Sequence, residues 1–175
     1  MEGSDDPEAA PRASGAQRAR AAAAVLLCVG ACFAAAAIGQ VLSGSEPGDW
    51  YGRLRKPSFT PPGWLFGPVW TLLYTGMGLS AWLVWRTPRR RAARRWALAT
   101  FAVQLLLNAA WPGVFFGLHL PGPAFGEILV LWAAAAATMV LFFRLSAPAG
   151  WLMVPYLVWL TFAAVLNGAI WWLNA

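Results

Sequence analysis

The sequence is poor in charge. Only 11% of its 175 residues are charged and 59% are hydrophobic, whereas a typical soluble domain carries about 25% charged residues. A chain of this length cannot bury so much apolar surface in one aqueous core. The shortage of charge therefore excludes an ordinary soluble domain and predicts that lipid surrounds the protein.

Cysteine and histidine are scarce as well. Cys28 and Cys32 are the only cysteines, one turn apart on a helix, where a disulfide is sterically poor and two ligands are too few for a zinc site. His119 is the only histidine, so it has no partner histidine for a metal cage. The sequence also lacks a nucleophile–base pair and a phosphate-binding loop. We therefore predict no metal site, no required cofactor and no conventional catalytic motif.

Hydrophobic runs divide most of the chain into segments long enough to cross a bilayer. Residues 1–20 are polar and predict a disordered tail. A signal peptide is the competing interpretation of the first run, but the run is too long for one, so a retained span is expected. The predicted fold class is an all-α integral membrane domain over residues 21–175, a bundle of five transmembrane helices at about 21–42, 63–85, 96–116, 123–143 and 151–173.

The basic residues are unevenly distributed. Six of the 13 lie between Arg86 and Arg95, and only Arg144 follows them. Nucleic-acid binding is one interpretation of the net charge of +6. Because the cluster lies between two membrane-length runs, we prefer contact with anionic lipid and expect no nucleic-acid partner. The expected location is a bacterial-type plasma membrane. Antiparallel spans would place most of the basic residues on one side, so in such a membrane the positive-inside rule predicts a cytoplasmic N-terminus.

Aromatic residues and prolines are concentrated where the second hydrophobic run begins. Residues 50–74 contain three tryptophans, two tyrosines, two phenylalanines and four prolines. An indole offers a large flat face and one N–H donor. The segment therefore predicts a rigid, ring-lined site for a flat apolar ligand rather than a hydrolytic site.

This segment resembles the signature of the TspO/translocator protein family, W-Y-x-x-L-x-K-P-x-W-x-P-P-x-W-x-x-x-P-x-W-x-x-L-Y, with Phe59 where the family usually has tryptophan. Residues 107–117 resemble the motif L-N-x-x-W-x-x-x-F-F-G, and residues 155–167 resemble P-Y-L-x-W-x-x-x-A-x-x-L-N. The resemblance covers about residues 22–174. It implies a five-helix bundle, usually a homodimer, with a pocket that binds tetrapyrroles such as protoporphyrin or haem and drug-like apolar ligands.

Site residues follow from the resemblance by position. The ligand-binding candidates are Phe59, Trp64, Trp70, Asn108, Trp111, Trp159, Ala163 and Leu166. The pocket would lie between the helices under the first loop, with Phe59 and Trp64 in the loop lid and at the top of the second span. Asn108 and Asn167 lie within hydrophobic runs, where an amide needs a partner on another helix or on a ligand.

Two further groups of residues carry alternatives. Arg53, Arg55 and Lys56 are candidates to pair with porphyrin carboxylates, and ordinary interfacial snorkelling is the alternative. Gly113 and Gly117 form a G-x-x-x-G pattern that allows close helix contact, within the monomer or between two copies. The resemblance favours the dimer contact.

Three functions remain open at this point. The first is a membrane receptor or transporter for tetrapyrroles and other lipophilic molecules. The second is an enzyme for light- and oxygen-dependent porphyrin breakdown, with Trp70 and Trp159 as candidate catalytic positions. The third is a membrane regulatory protein that contacts partners through Arg86–Arg95. The first is the preferred prediction.

Overall fold

The computed structural model describes residues 15–44, 47–88 and 91–175. In this part of the chain, short connections join helices only. The α-helices are α1 (Gly15–Leu42), α2 (Pro47–Arg53), α3 (Phe66–Trp85), α4 (Arg91–Pro112), α5 (Pro121–Leu145) and α6 (Ala147–Asn174). A 3₁₀ turn, Gly63–Leu65, leads into α3, and a π-helical segment, Gly113–Gly117, continues α4.

Local sequence determines several helix ends. After α1, Gly44 adopts φ 80°, a left-handed conformation that glycine reaches without strain at the end of a helix. Proline lies in the first turn of α5 and of α6, where its missing N–H is not needed. Pro112 is the last residue of α4, and beyond it the Leu118 N–H donates to the Gly113 carbonyl over 2.8 Å, which closes the wider π turn.

Four of the described helices are long and apolar enough to cross a membrane: α1, α4 with its π-helical continuation, α5 and α6. The helix α3 has 20 residues and no charged side chain, and it is not one of these four. The predicted all-helical character with several membrane-length helices is confirmed. A fifth crossing through α3 stays a prediction.

Several predicted boundaries are wrong. Residues 15–20 belong to α1, so they are not part of a disordered tail, and residues 1–14 lie outside the described residues. The helix α4 begins at Arg91, inside the basic cluster and before the predicted span, and α2 lies between the first two predicted spans. Hydropathy marks the apolar part of a span, whereas helical hydrogen bonding continues into the polar flanks, where arginine is a good helix former.

Contacts between distant connections place three segments at one end of the bundle. Trp50 in α2 stacks on His119, which follows α4, with ring centroids 4.4 Å apart. The Arg55 N–H donates to Asn174 Oδ1 over 3.0 Å, and Asn174 Nδ2 donates back to the Arg55 carbonyl over 2.9 Å. The first loop, the α4–α5 connection and the end of α6 therefore lie together, as antiparallel neighbouring helices require.

The hydrophobic core has two parts. The larger cluster fills the middle of the bundle and includes the fully buried Met77, Val84 and Tyr156. The smaller one lies under the first loop and consists of Phe115, Ala124, Leu166 and Ile170, covered in part by Trp50, Tyr51 and Leu54. The loop is thus part of the packed structure and forms a roof over the end of the bundle.

The glycine pair of the G-x-x-x-G pattern packs against α1. A Cβ on Gly113 would lie 3.0 Å from Leu42 Cβ, and one on Gly117 would collide with the Leu42 carbonyl oxygen. The close approach indicated by the pattern is therefore made within one chain. Homodimerisation stays a prediction, and it no longer rests on Gly113 and Gly117.

Candidate functional site

A cavity of about 450 Å³ lies between the long helices, and residues from all of them line it. Its volume is within the range of about 300–1,000 Å³ that is typical of small-molecule sites. No lining residue in the described part of the chain carries a formal charge. Much of the wall is aromatic: Tyr51, Phe66, Trp70, Tyr74, Trp111, Phe115, Phe116, Trp159 and Phe162.

Six of the candidate ligand-binding residues meet in this cavity. They come from α3, α4 and α6 and are Trp70, Asn108, Trp111, Trp159, Ala163 and Leu166. Residues more than 90 positions apart in sequence therefore share one wall. Their contact with a ligand stays a prediction.

Two of the other candidates lie outside the cavity. Phe59 is 48% exposed and meets Phe162 edge to face, with ring centroids 6.4 Å apart. It lines a separate open depression on the outer side of α6. Trp64 is 73% exposed. Neither residue forms the lid; that position belongs to Tyr51, which lines the cavity from above.

The three candidate cations do not line the cavity either. Arg53 and Arg55 are exposed. The Lys56 ammonium donates to the carbonyls of Gly52 and Leu54 over 3.3 and 3.4 Å and lies 4.7 Å from the centre of the Tyr51 ring. Lys56 therefore stabilises the loop, and pairing of these cations with ligand carboxylates stays a prediction.

A buried chain of hydrogen bonds supports the wall of the cavity. The Tyr74 hydroxyl donates to Asn108 Oδ1 over 2.6 Å, and Asn108 Nδ2 donates to the Tyr156 hydroxyl oxygen over 3.0 Å. The Tyr156 hydroxyl donates in turn to Gln104 Oε1 over 2.9 Å. Trp70 stacks on Tyr74, with centroids 5.2 Å apart. Asn108 thus links α3, α4 and α6 and holds the ring against which Trp70 rests.

A second polar connection fixes Trp111. Its indole N–H is within bonding distance of the Ala124 carbonyl, 3.1 Å, and of Asn167 Oδ1, 3.2 Å. Asn167 Nδ2 donates to the Pro121 carbonyl over 2.8 Å. Both intramembrane asparagines therefore have partners on other helices. The Trp111 N–H is satisfied by the protein, so this residue offers its ring face, not its donor, to the cavity.

The roof is built from rings that meet edge to face. Tyr51 contacts Phe115 and Phe116, with centroids 6.2 and 5.5 Å apart, and Trp50 contacts Phe115 at 5.7 Å. Burial raises the pKa of the Tyr51 phenol, so its hydroxyl stays protonated at neutral pH and can donate a hydrogen bond. The roof therefore adds one polar group to an otherwise apolar lid.

Two buried polar groups have no hydrogen-bond partner among the described residues. They are the Glu127 carboxylate in α5 and Gln104 Nε2 in α4. Neither residue lines the cavity. An unpaired buried polar group costs free energy, so both are weak points of an otherwise well-satisfied interior.

Sequence reasoning missed part of the cavity wall. Tyr74 was recognised only as part of the family motif, although its position four residues after Trp70 predicts a contact on one helix face. Gly63 and Gly67 also line the cavity, and neither a charge nor a ring marks them in the sequence. Tyr51 needs the folded loop to reach the cavity, and no local pattern predicts that contact.

Taken together, the helices and the cavity define an integral membrane protein with an aromatic, uncharged internal site. A model of the TspO/MBR family matches residues 24–173, and the chain belongs to that family.

Named relatives cover most of the chain. The tryptophan-rich protein TspO of Chlorobaculum tepidum is 41% identical over 149 residues, which are 85% of this chain and 94% of that protein. The tryptophan-rich sensory protein of Cereibacter sphaeroides is 42% identical over 137 residues, 78% of this chain and 82% of that protein. The translocator protein of Homo sapiens is 42% identical over 123 residues, 70% of this chain and 73% of that protein.

Proposed function

We propose that this protein is a membrane receptor or transporter that binds tetrapyrroles, such as protoporphyrin or haem, and other flat apolar molecules in the aromatic cavity. One observation carries the proposal: six residues from three helices, four of them polar or indole side chains, meet in one uncharged cavity of about 450 Å³. The names of two relatives, a sensory protein and a translocator protein, fit a role in sensing or transport.

The chemistry of the wall suits a flat aromatic ligand. Indole and phenol rings favour offset stacking or edge-to-face contact with another π-system. Trp70 and Trp159 come from α3 and α6, and Trp159 meets Phe66 and Phe162 at 5.8 and 5.4 Å. Packed rings of this kind are already ordered before the ligand binds, which lowers the entropic cost of binding.

Protoporphyrin titration in the dark tests the proposal. The shift of the porphyrin absorbance band reports binding even in variants that lack a tryptophan. We expect saturable binding, weakened about tenfold in Trp70→Ala and in Trp159→Ala, which corresponds to about 1.4 kcal/mol. Trp172→Ala is the matched control, because this ring is 80% exposed and lies outside the cavity. Unchanged affinity in both cavity variants would refute the assignment of the site.

Porphyrin breakdown is the second candidate function. Trp70 and Trp159 place oxidisable indoles on the cavity wall, where an excited pigment would lie against them. In this reaction dioxygen is the oxidant and the porphyrin is oxidised. Illumination of the complex in air should then bleach the porphyrin band and yield a product, and Trp70→Phe and Trp159→Phe should slow the loss. A band that stays stable under light and oxygen would leave binding or transport as the function.

All five long helices cross the membrane in this proposal, with the beginning of α1 on the cytoplasmic side of a bacterial-type plasma membrane. Single cysteines at Ser58 and Pro88, both exposed and on either side of α3, test the crossing. A membrane-impermeant thiol reagent should label Ser58→Cys from outside and Pro88→Cys only after permeabilisation. Labelling of both cysteines from one side would refute the crossing of α3.

Homodimerisation completes the proposal. The molecular mass of the detergent-solubilised protein tests whether it is a dimer.

A further inference from the structure

The roof and two seams of the cavity are closed by packed side chains. The roof rests on the Tyr51 contacts with Phe115 and Phe116. Between α3 and α6, Phe66 meets Trp159 with centroids 5.8 Å apart. Between α1 and α4 the backbones are in close contact, since a Cβ on Gly39 would lie 3.3 Å from the Ala109 carbonyl oxygen. A ligand cannot pass these boundaries without displacing packed groups.

The seam between α1 and α3 is different, because the exposed residues of the cavity lining lie on its two sides. Deep in the bundle the two helices touch closely: a Cβ on Gly78 would lie 2.5 Å from Val29 Cα. Nearer the first loop, Gly39 of α1 packs closely against α4. The next residue of α1, the exposed Gln40, is part of the cavity lining.

In the turn before α3 and at the start of α3, the two exposed lining positions carry no side chain. Gly63 and Gly67 both line the cavity and are both exposed. A Cβ at either position would meet no heavy atom within 4 Å. The glycines are therefore not needed for tight packing, and space stays open where larger residues would fill it.

We propose that Gly63, Gly67 and Gln40 border a lateral mouth through which flat lipophilic molecules pass between the lipid and the cavity. The proposal builds on the proposed function and adds the route. Trp64, next to Gly63, is 73% exposed and extends an indole face outside the mouth, where a flat ligand first makes contact. Entry from the lipid explains how an apolar molecule reaches the cavity without opening the roof.

Accessibility of a cavity cysteine tests the mouth without any assumption about the ligand. The parent is Ala163→Cys, a cavity position, with Cys28 and Cys32 replaced by alanine and the protein in liposomes. A lipid-soluble maleimide should label this cysteine, and Gly67→Leu should slow the labelling at least about fivefold. Gly30→Leu is the matched control, since Gly30 is an exposed helical glycine with nothing within 4 Å and lies outside the lining.

If the cysteine is labelled at the same rate in Gly67→Leu and in Gly30→Leu, the proposal of a lateral mouth is refuted. A second readout is the rate of protoporphyrin binding. If the mouth is the route, Gly67→Leu should lower both the association rate and the dissociation rate, whereas Gly30→Leu should change neither. Slowed labelling of the cysteine variant, with no porphyrin binding by the unsubstituted protein, would support the mouth and refute the proposed ligand, so the two proposals fail separately.

Discussion

The hydrogen bond between Tyr74 and Asn108 gives the sharpest test of how the cavity wall is held. Its donor and acceptor are 2.6 Å apart, and the two residues are 8% and 4% exposed. It connects α3 to α4, and through Asn108 Nδ2 it continues to Tyr156 on α6. Removal of either side chain therefore disturbs three helices at once.

The expected magnitudes follow from which groups are left unpaired. Tyr74→Phe keeps the ring that stacks on Trp70 but leaves Asn108 Oδ1 without its donor, a cost of about 1–2 kcal/mol. Asn108→Ala leaves the Tyr74 hydroxyl buried and unpaired and also removes the bond to Tyr156, so about 2–3 kcal/mol is expected. Interhelical hydrogen bonds in membrane proteins contribute about 0.6 kcal/mol on average and at most about 1.7. Because this bond is short and buried, we expect a coupling energy of about 1–1.7 kcal/mol.

The assay is a double-mutant cycle on the free energy of unfolding in mixed detergent micelles. The control cycle combines Tyr74→Phe with Thr161→Val. The Thr161 hydroxyl donates to the Leu157 carbonyl and accepts from the Trp132 indole N–H, so among the described residues it shares no hydrogen-bond partner with Tyr74. The control should be additive within about 0.5 kcal/mol. A coupling below about 0.3 kcal/mol between Tyr74 and Asn108 would refute the view that this bond holds the wall together.

Three further predictions concern the loop, the helix packing and the buried acid. Asn174→Ala should speed amide hydrogen exchange in the first loop around Arg55 and leave exchange in the core unchanged, because the substitution removes both hydrogen bonds to the Arg55 backbone. Unchanged exchange in the loop would mean that ring contacts alone hold it. Gly78→Ala should lower the melting temperature by several degrees, because the new Cβ would lie 2.5 Å from the Val29 backbone. Gly76→Ala is the control and should not lower it, because its Cβ would lie 3.5 Å from the nearest neighbour. Equal effects of the two variants would contradict the close α1–α3 contact. Glu127→Leu should raise stability by about 1–3 kcal/mol, because it removes a buried carboxylate without a partner; a loss of stability in the same melt would show that the acid has a partner after all.

The membrane-length helices could be predicted because their signal is local. A continuous apolar run in a chain with little charge has few alternatives to a helix in lipid. The short helix α2 could not be predicted in this way, since Trp50 and Tyr51 pack on Phe115 and Phe116. That contact joins parts of the chain about 65 residues apart and outweighs the low helix propensity of the two glycines in the segment.

The cavity was predictable in its position but not in its construction. A buried amide requires hydrogen-bond partners, so the sequence predicts that Asn108 is hydrogen-bonded. That the partners are Tyr74 and Tyr156, on two different helices, depends on helix rotation that hydropathy does not specify. The position of Gly67 at the cavity could not be predicted, because the open space beside this glycine produces no pattern in the sequence.

The uncharged cavity wall leads to a last prediction about the carboxylates of a bound tetrapyrrole. An ionised carboxylate inside the cavity would lose its hydration and find no cation, a cost in free energy that binding cannot offset.

The carboxylates should therefore stay at the solvent-exposed end of the site, where Arg53, Arg55 and Lys56 act at most as surface partners. Surface ion pairs are worth about 0.2–1 kcal/mol each. Protoporphyrin has two carboxylates, so replacement of all three cations by glutamine should weaken protoporphyrin binding by about 2- to 30-fold at most. The dimethyl ester of protoporphyrin should bind the unchanged protein at least as tightly as the free acid. A loss beyond about 100-fold in the triple variant, matched by a similar loss when the ester replaces the free acid on the unchanged protein, would mean that the loop closes its cations onto the ligand in a buried pair.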